Sequence, residues 1–266
     1  MTERTGVWLV GALGGLATTV VVGARAIARG LDPGGGVATL GPAFSSLDLA
    51  PLDGLVFGGH DVRTESLVDS AAQIGRENGS LRPEVLGVVR EDLEAIDARR
   101  RPGISLNGGA AIDALVEDGG AIPAANVSDL VGRVRADLAA FKEAERLDRL
   151  IVVNLASTEP PAGARPELES LDAFEAAVAA DTRDAFRAGQ LYAYAAMLEG
   201  AAYLNFTPSD AIVPALEELA AREGLPFMGS DGKTGETLVK SALAPMFRDR
   251  ALRVLTWQGY NILGDR

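Results

Sequence analysis

Short apolar runs alternate along the chain with longer stretches whose apolar residues recur every three or four positions. The first pattern marks buried strands and the second marks amphipathic helices. Residues 6–10 (Gly-Val-Trp-Leu-Val) read as a buried strand, 11–15 as a glycine turn, and 17–29 as a helix stopped by Gly30. Strands are expected next at 37–40 and 55–58, and helices at 64–78 and 83–99. The arginine-rich stretch 99–103 reads as a break, and 105–125, rich in Gly and Ala, carries no clear period. The second half predicts a helix over 128–144 with Ser128 as its N-cap, a strand at 149–155, and one or two helices within 170–199. A strand at 202–206, a helix at 210–223, a strand at 226–228, a helix at 234–247 and a final strand at 253–260 follow. Strands alternating with helices predict an α/β fold, a Rossmann-like doubly wound sheet that is mainly parallel.

Composition narrows the chemistry. A net charge of −12 over 266 residues argues against a nucleic-acid surface or attraction to anionic lipid. An anionic cofactor stays open, because glycine loops hold phosphate through backbone amides. With no cysteine, disulfides, thiolate metal sites and a cysteine nucleophile are excluded, and a cytoplasmic location is expected. The single histidine, His60, leaves Ser-His-Asp catalysis and polyhistidine metal sites poorly supplied. The apolar stretch 7–22 is interrupted by Gly11, Gly14 and Gly15 and lacks a cleavage pattern. Neither a signal peptide nor a transmembrane helix is expected.

Candidate chemistry sits where the predicted strands end. Gly11, Gly14 and Ala17 have the spacing that permits a tight turn, close backbone approach and close helix packing. With Leu13, Gly15 and the hydroxyl of Thr18 or Thr19, they form a candidate pyrophosphate site at a helix start. The acid that clamps the ribose should end the second strand, but 37–40 is followed by Gly41-Pro42; Asp53 and Asp61 are the nearest substitutes. The paired Gly58 and Gly59 would let a ligand approach, and His60 reads as a loop residue with a satisfied hydrogen bond. Ser157 and Thr158 follow the strand at 149–155, and Asn205 ends the strand at 202–206. The aromatics within 191–203 fit a helical core better than a ligand box. Lysine is scarce: Lys142, Lys233 and Lys240 are the only three, against 22 arginines. Arginine holds its proton at any ordinary pH, whereas lysine can be tuned to release it. Lys233 and Lys240, seven apart, lie on one face of the helix expected there.

These pieces, in this order, resemble the inositol-1-phosphate synthase family over residues 7–266. Its GxGGxxGST loop is represented by 11–19, and its Gly-Trp-Asp-like turn by Gly59-His60-Asp61. Its Asn-Thr-Glu segment is similar to Ser157-Thr158-Glu159. Its LEGxxFxNxxP stretch is matched by 198–208, its GxDxKSGQTxxKS stretch by 229–241, and its YNHLGNNDG stretch in part by 260–265. Thr234 and Glu236 replace the family's Ser and Gln, His60 stands for its Trp, and Ile262 for a histidine.

The resemblance implies NAD-dependent cyclisation of glucose 6-phosphate to inositol phosphate, a step toward inositol phospholipid biosynthesis. The C5 hydride passes to NAD, the neighbouring C6 proton is lost, the ring closes on C1, and the hydride returns. It implies Lys233 at the carbonyl or C5 hydroxyl, Lys240 at phosphate or developing charge, and Asn205, Asp231 and Asn261 on sugar hydroxyls. Thr234, Gly235 and Thr237 would hold the phosphate, and Gly11, Leu13, Gly14, Gly15, Ala17, Thr18, Asp61, Ser157 and Thr158 would hold NAD. No metal is expected. The expected division is an NAD-binding domain at 1–228 and the start of an α+β catalytic and assembly domain at 229–266. The family continues past this point, so the remainder is expected to be missing; a cytoplasmic homotetramer is implied. An ordinary NAD-dependent sugar-phosphate dehydrogenase and a non-catalytic NAD-binding fragment stay open as alternatives.

Overall fold

The computed structural model describes residues 3–232 and 235–258. Strand β1 (Thr5–Val10) is buried along nearly its whole length, as a strand covered on both faces must be. Its side chains alternate between two cores. Trp8 and Val10 point into one, built with α5 (Val127–Ala144), α6 (Leu171–Ala179), α7 (Ala188–Leu198) and α8 (Pro214–Glu223). Leu9 points into the other, built with α1 (Gly15–Ala28), α2 (Leu67–Asn78) and α3 (Pro83–Asp97). Among the described residues the remaining strands are β2 (Leu55–Asp61), β3 (Arg100–Pro102), β4 (Arg149–Asn154), β5 (Ala202–Asn205) and β6 (Phe227–Met228). They pair in parallel in the order β3-β2-β1-β4-β5-β6. Strand order therefore reverses at β1, which places a crevice over its C-terminal end. A short helix, α4 (Ala110–Asp113), lies between β3 and α5, and α9 (Gly235–Asp249) follows β6.

Several expectations are corrected. Residues 37–40 form no strand; a 3-10 turn occupies Ala38–Leu40, followed by others at Pro42–Phe44 and Leu52–Gly54. Glycines and a proline flank these four residues on both sides, leaving too little chain to pair. The stretch expected as the third strand is thus the second, and it extends through His60 to Asp61. The arginine-rich break contains β3, whose three residues pair with Gly59–Asp61. Asn126, not Ser128, caps α5, its side chain accepting the Asp129 N–H at 2.8 Å. Residues 253–258 carry no regular structure, and the rest of the expected final strand lies outside the described residues. No helix among the described residues is long and apolar enough to cross a membrane.

Candidate functional site

The glycine turn follows β1 at the reversal point. Gly11 takes φ +80°, a conformation that any Cβ strains. A Cβ there would also lie 2.9 Å from the Ala156 Cα, so the turn and the loop after β4 touch backbone to backbone. The N–H groups of Gly11 and Ala12 donate to the His60 carbonyl at 2.9 and 3.1 Å. The Leu13 N–H donates to Asp61 Oδ2 at 2.7 Å, and Ser70 Oγ donates to the Leu13 carbonyl at 2.9 Å. Helix α1 then begins after Gly14, with no side-chain cap and no acid in its first turn. Its leading amides are left to an anion, with the helix dipole behind them.

Between the ends of β1, β2 and β4 lies a cleft of about 600 Å³, open mouth included. Gly11, Gly14, Asp61, Arg63, Ser157 and Glu159 line its polar side, and Ile104, Ile112 and Leu115 form an apolar wall. The donor set fits a dinucleotide diphosphate: uncapped amides at α1 and a turn without a side chain at Gly11. Asp61 ends β2, where a ribose acceptor belongs in this fold. Its Oδ1 also accepts from the Arg63 amide at 2.9 Å and from Arg63 Nε at 3.2 Å. Arg63 further pairs with Glu65 at 3.3 Å. Two carboxylates thus hold its charge, which leaves little for the extra phosphate of NADP.

The floor beyond β4 is a buried polar network. Asn154 Nδ2 donates to Asn205 Oδ1 at 3.2 Å, and Asn205 Nδ2 donates to the Ser209 carbonyl at 2.9 Å. Ser209 Oγ accepts the Glu159 N–H at 2.9 Å. The Glu159 carboxyl accepts the Gly189 N–H at 3.1 and 3.2 Å at the start of α7. Burial pushes this carboxyl above the usual carboxylate range; the amides of Gly189 and Ala188 pull it back only in part. Tyr203 OH donates to the Gly189 carbonyl at 3.1 Å, and Tyr192 OH accepts the Ile104 N–H at 2.7 Å. Burial pushes both phenols up.

His60 is a strand residue, fully buried, not a loop residue. Its Nδ1 accepts from Trp8 Nε1 at 2.7 Å, which puts the ring proton on Nε2, 3.1 Å from Asp137 Oδ2. Burial lowers its pKa, against the opposing pull of Asp137. Pinned at both nitrogens and neutral, the ring ties β2 to β1 and α5. Gly58 and Gly59 admit no ligand either. A Cβ on Gly58 would meet the Trp8 ring at 2.8 Å, and one on Gly59 would meet the Ala12 Cβ at 2.8 Å.

The structure brings Gly11, Gly14, Asp61 and Ser157 to the cleft wall, with Asn205 in the network behind it. Leu13, Ala17 and Thr18 are sealed in the core under the turn, and the Thr18 hydroxyl has no partner among the described residues. Gly15 opens α1. Thr158 does not line the cleft. Asp231 is exposed and accepts the Gly232 N–H at 2.8 Å. Thr237 and Lys240 lie on α9 and are not among the residues that line the cleft, and Gly235 begins that helix. Lys233, Thr234 and Asn261 lie outside the described residues. Sequence reasoning did not assign Arg63, Glu159, Gly189 or the wall from 103–115. The Glu159 signal was present beside Ser157 and Thr158, whereas the 103–115 wall has no periodicity to find.

A sequence model of an NAD-binding family, described as myo-inositol-1-phosphate synthase, matches residues 35–256. Inositol-3-phosphate synthase 1 of Bacteroides thetaiotaomicron is 34% identical over 287 residues, covering 100% of this chain and 62% of that protein. Inositol-3-phosphate synthase of Saccharomyces cerevisiae is 33% identical over 134 residues, covering 50% of this chain and 25% of that protein. The crystal structure of inositol-3-phosphate synthase from Caenorhabditis elegans superposes with a TM-score of 0.77 at 22% identity, over 94% of this chain and 53% of that one. The chain thus spans at most about three fifths of the length of these relatives. It belongs to the myo-inositol-1-phosphate synthase family and carries that family's NAD-binding domain.

Proposed function

We propose that the chain forms the NAD-holding part of an enzyme that cyclises glucose 6-phosphate to myo-inositol 1-phosphate. One observation supports this beyond family membership. Gly229 packs its backbone against the Asn205 carbonyl, and Gly232 packs against the Phe206 ring. A side chain at either glycine would collide there, so the segment that leads to Lys233 leaves β6 beside the cleft's polar floor. NAD, when bound, supplies an acceptor that takes a hydride and later returns it. The α1 amides hold the diphosphate, and Asn205, Asp231 and Asn261 orient sugar hydroxyls. Lys233 and Lys240 meet the carbonyl and the developing negative charge, where a fixed cation lowers the barrier most. Thr234, Gly235 and Thr237 hold the phosphate.

In this reading residues 229–266 open the catalytic and assembly part, and the protein works as a cytoplasmic homotetramer. The assembly is supported by α9, which leaves the apolar side chains of Leu238, Val239 and Met246 exposed for a neighbouring surface to cover. The test is product analysis by mass spectrometry from glucose 6-phosphate and NAD, with absorbance followed at the NADH band. Inositol phosphate without accumulated NADH is expected; net reduction would instead identify a dehydrogenase. Lys233→Ala is expected to abolish cyclisation while leaving NAD binding intact, and undiminished turnover by that variant refutes its role.

A further inference from the structure

The turn after β2 holds both halves of a cofactor choice. In folds of this kind an acid at the second strand's end takes the ribose 2′-hydroxyl of NAD, and an arginine nearby takes the 2′-phosphate of NADP. Here Asp61 ends β2, Arg63 follows two residues later, and both line the cleft. Asp61 is tied to the glycine turn, its Oδ2 accepting the Leu13 N–H at 2.7 Å. Arg63 reaches Asp61 through Nε at 3.2 Å and Glu65 Oε1 through Nη1 at 3.3 Å. The backbone of this turn is held by other residues. Arg100 donates to the carbonyls of Arg63 and Glu65, each at 2.9 Å. Glu117 accepts the Thr64 N–H and hydroxyl, each at 2.6 Å. Among the described residues the Glu65 carboxyl meets Arg63 alone.

The charges around Arg63 do not balance. Its side chain, 12% exposed, is one cation against the two carboxylates of Asp61 and Glu65. Glu117 is a third carboxylate within its field, and the neighbouring cation, Arg100, is already paired with Asp97 at 2.9 Å. A 2′-phosphate would therefore meet net negative charge, although the arginine that could receive it is in place. We propose that Glu65 is a specificity-determining residue, which keeps the site selective for NAD over NADP by neutralising Arg63. Asp61 cannot serve as that switch, because the glycine turn depends on it. With the Glu65 charge removed, Asp61 and Arg63 form a neutral pair, and one edge of the guanidinium is released for phosphate. The proposal rests on the cofactor assignment, deepens it, and is independent of which sugar phosphate is used.

Titration calorimetry with NAD⁺ and with NADP⁺ reads the ratio of the two affinities. Glu65→Gln keeps an acceptor for Arg63 and loses only the charge. In that variant the affinity for NADP⁺ relative to NAD⁺ should rise about tenfold, the order of one charge–charge contact between the bulk-water and protein-surface limits. Adding Arg63→Ala to Glu65→Gln should cancel the gain, because the phosphate then has no receiver. The unaltered protein gives a second measurement. Raising salt from about 0.1 to 1 M shortens screening from about 10 to 3 Å. Repulsion of the 2′-phosphate then fades, and the NADP⁺ to NAD⁺ ratio should rise; attraction to Arg63 would make it fall. This comparison decides the matter even if Glu65→Gln fails to fold. An unchanged ratio in Glu65→Gln, a gain that survives the loss of Arg63, or a ratio that stays level or falls with salt overturns the proposal alone. Absence of NAD⁺ binding overturns the cofactor assignment and the proposal with it.

Discussion

Gly11→Ala tests the claim that the glycine turn and the loop after β4 form one rigid wall. Two costs add. The φ of +80° costs a residue with a Cβ about 1–2 kcal/mol. The new Cβ would lie 2.9 Å from Ala156 Cα and 3.0 Å from its amide nitrogen. Both neighbours are backbone, so relief means moving the β4 loop, an overpacking cost of about 1–3 kcal/mol. The sum, roughly 2–5 kcal/mol, is a large part of the 5–15 kcal/mol of an ordinary domain. Urea unfolding followed by tryptophan fluorescence reports it, since Trp8 is buried in β1. The displaced loop also carries Ser157 of the cleft wall, so NAD affinity by calorimetry should fall at least about tenfold, or 1.4 kcal/mol. Gly23→Ala is the matched control. It lies inside α1, and a Cβ there meets nothing within 4 Å. It should stabilise by about 0.5–1 kcal/mol and leave affinity unchanged. A Gly11→Ala protein as stable as its parent, with undiminished affinity, refutes the close-approach reasoning.

Two further outcomes follow from buried groups. The folded pKa of His60 is depressed by burial, so between it and the unfolded value the unfolded chain binds the proton that the fold refuses. Stability contributed this way is fully present above about pH 6.5 and is lost progressively as pH falls from there through the folded pKa. His60 is the only histidine, so His60→Gln should remove this slope in thermal melts; an unchanged slope contradicts the buried neutral ring. Tyr192→Phe leaves the Ile104 N–H, bonded at 2.7 Å to the phenol oxygen, without an acceptor. A loss of about 1–3 kcal/mol in urea unfolding is expected, and a loss under 0.5 would mean that water or a shifted backbone replaces the phenol.

What could be read from the chain was whatever depends on neighbours in sequence. The apolar run 149–155 read directly as β4, and the order strand, glycine turn, helix read directly as β1 to α1, because strand burial and a helix start are set within a few residues. The specific stretches 198–208 and 229–241 carried the family. Pairing was another matter. Residues 37–40 have a strand's composition, yet the glycines and proline around them leave a 3-10 turn, and the strand that pairs with β1 is β2 at Leu55–Asp61. That pairing put Asp61 at the end of the second strand. His60 looked like a loop residue until Trp8 and Asp137, from β1 and α5, took its two nitrogens. Glu159 stood in plain view, but its character comes from Gly189, thirty residues away, and from water excluded by α7 and β5. Sequence order determined the elements and the family; burial and charge pairing, which join distant residues, were decided only by the tertiary structure.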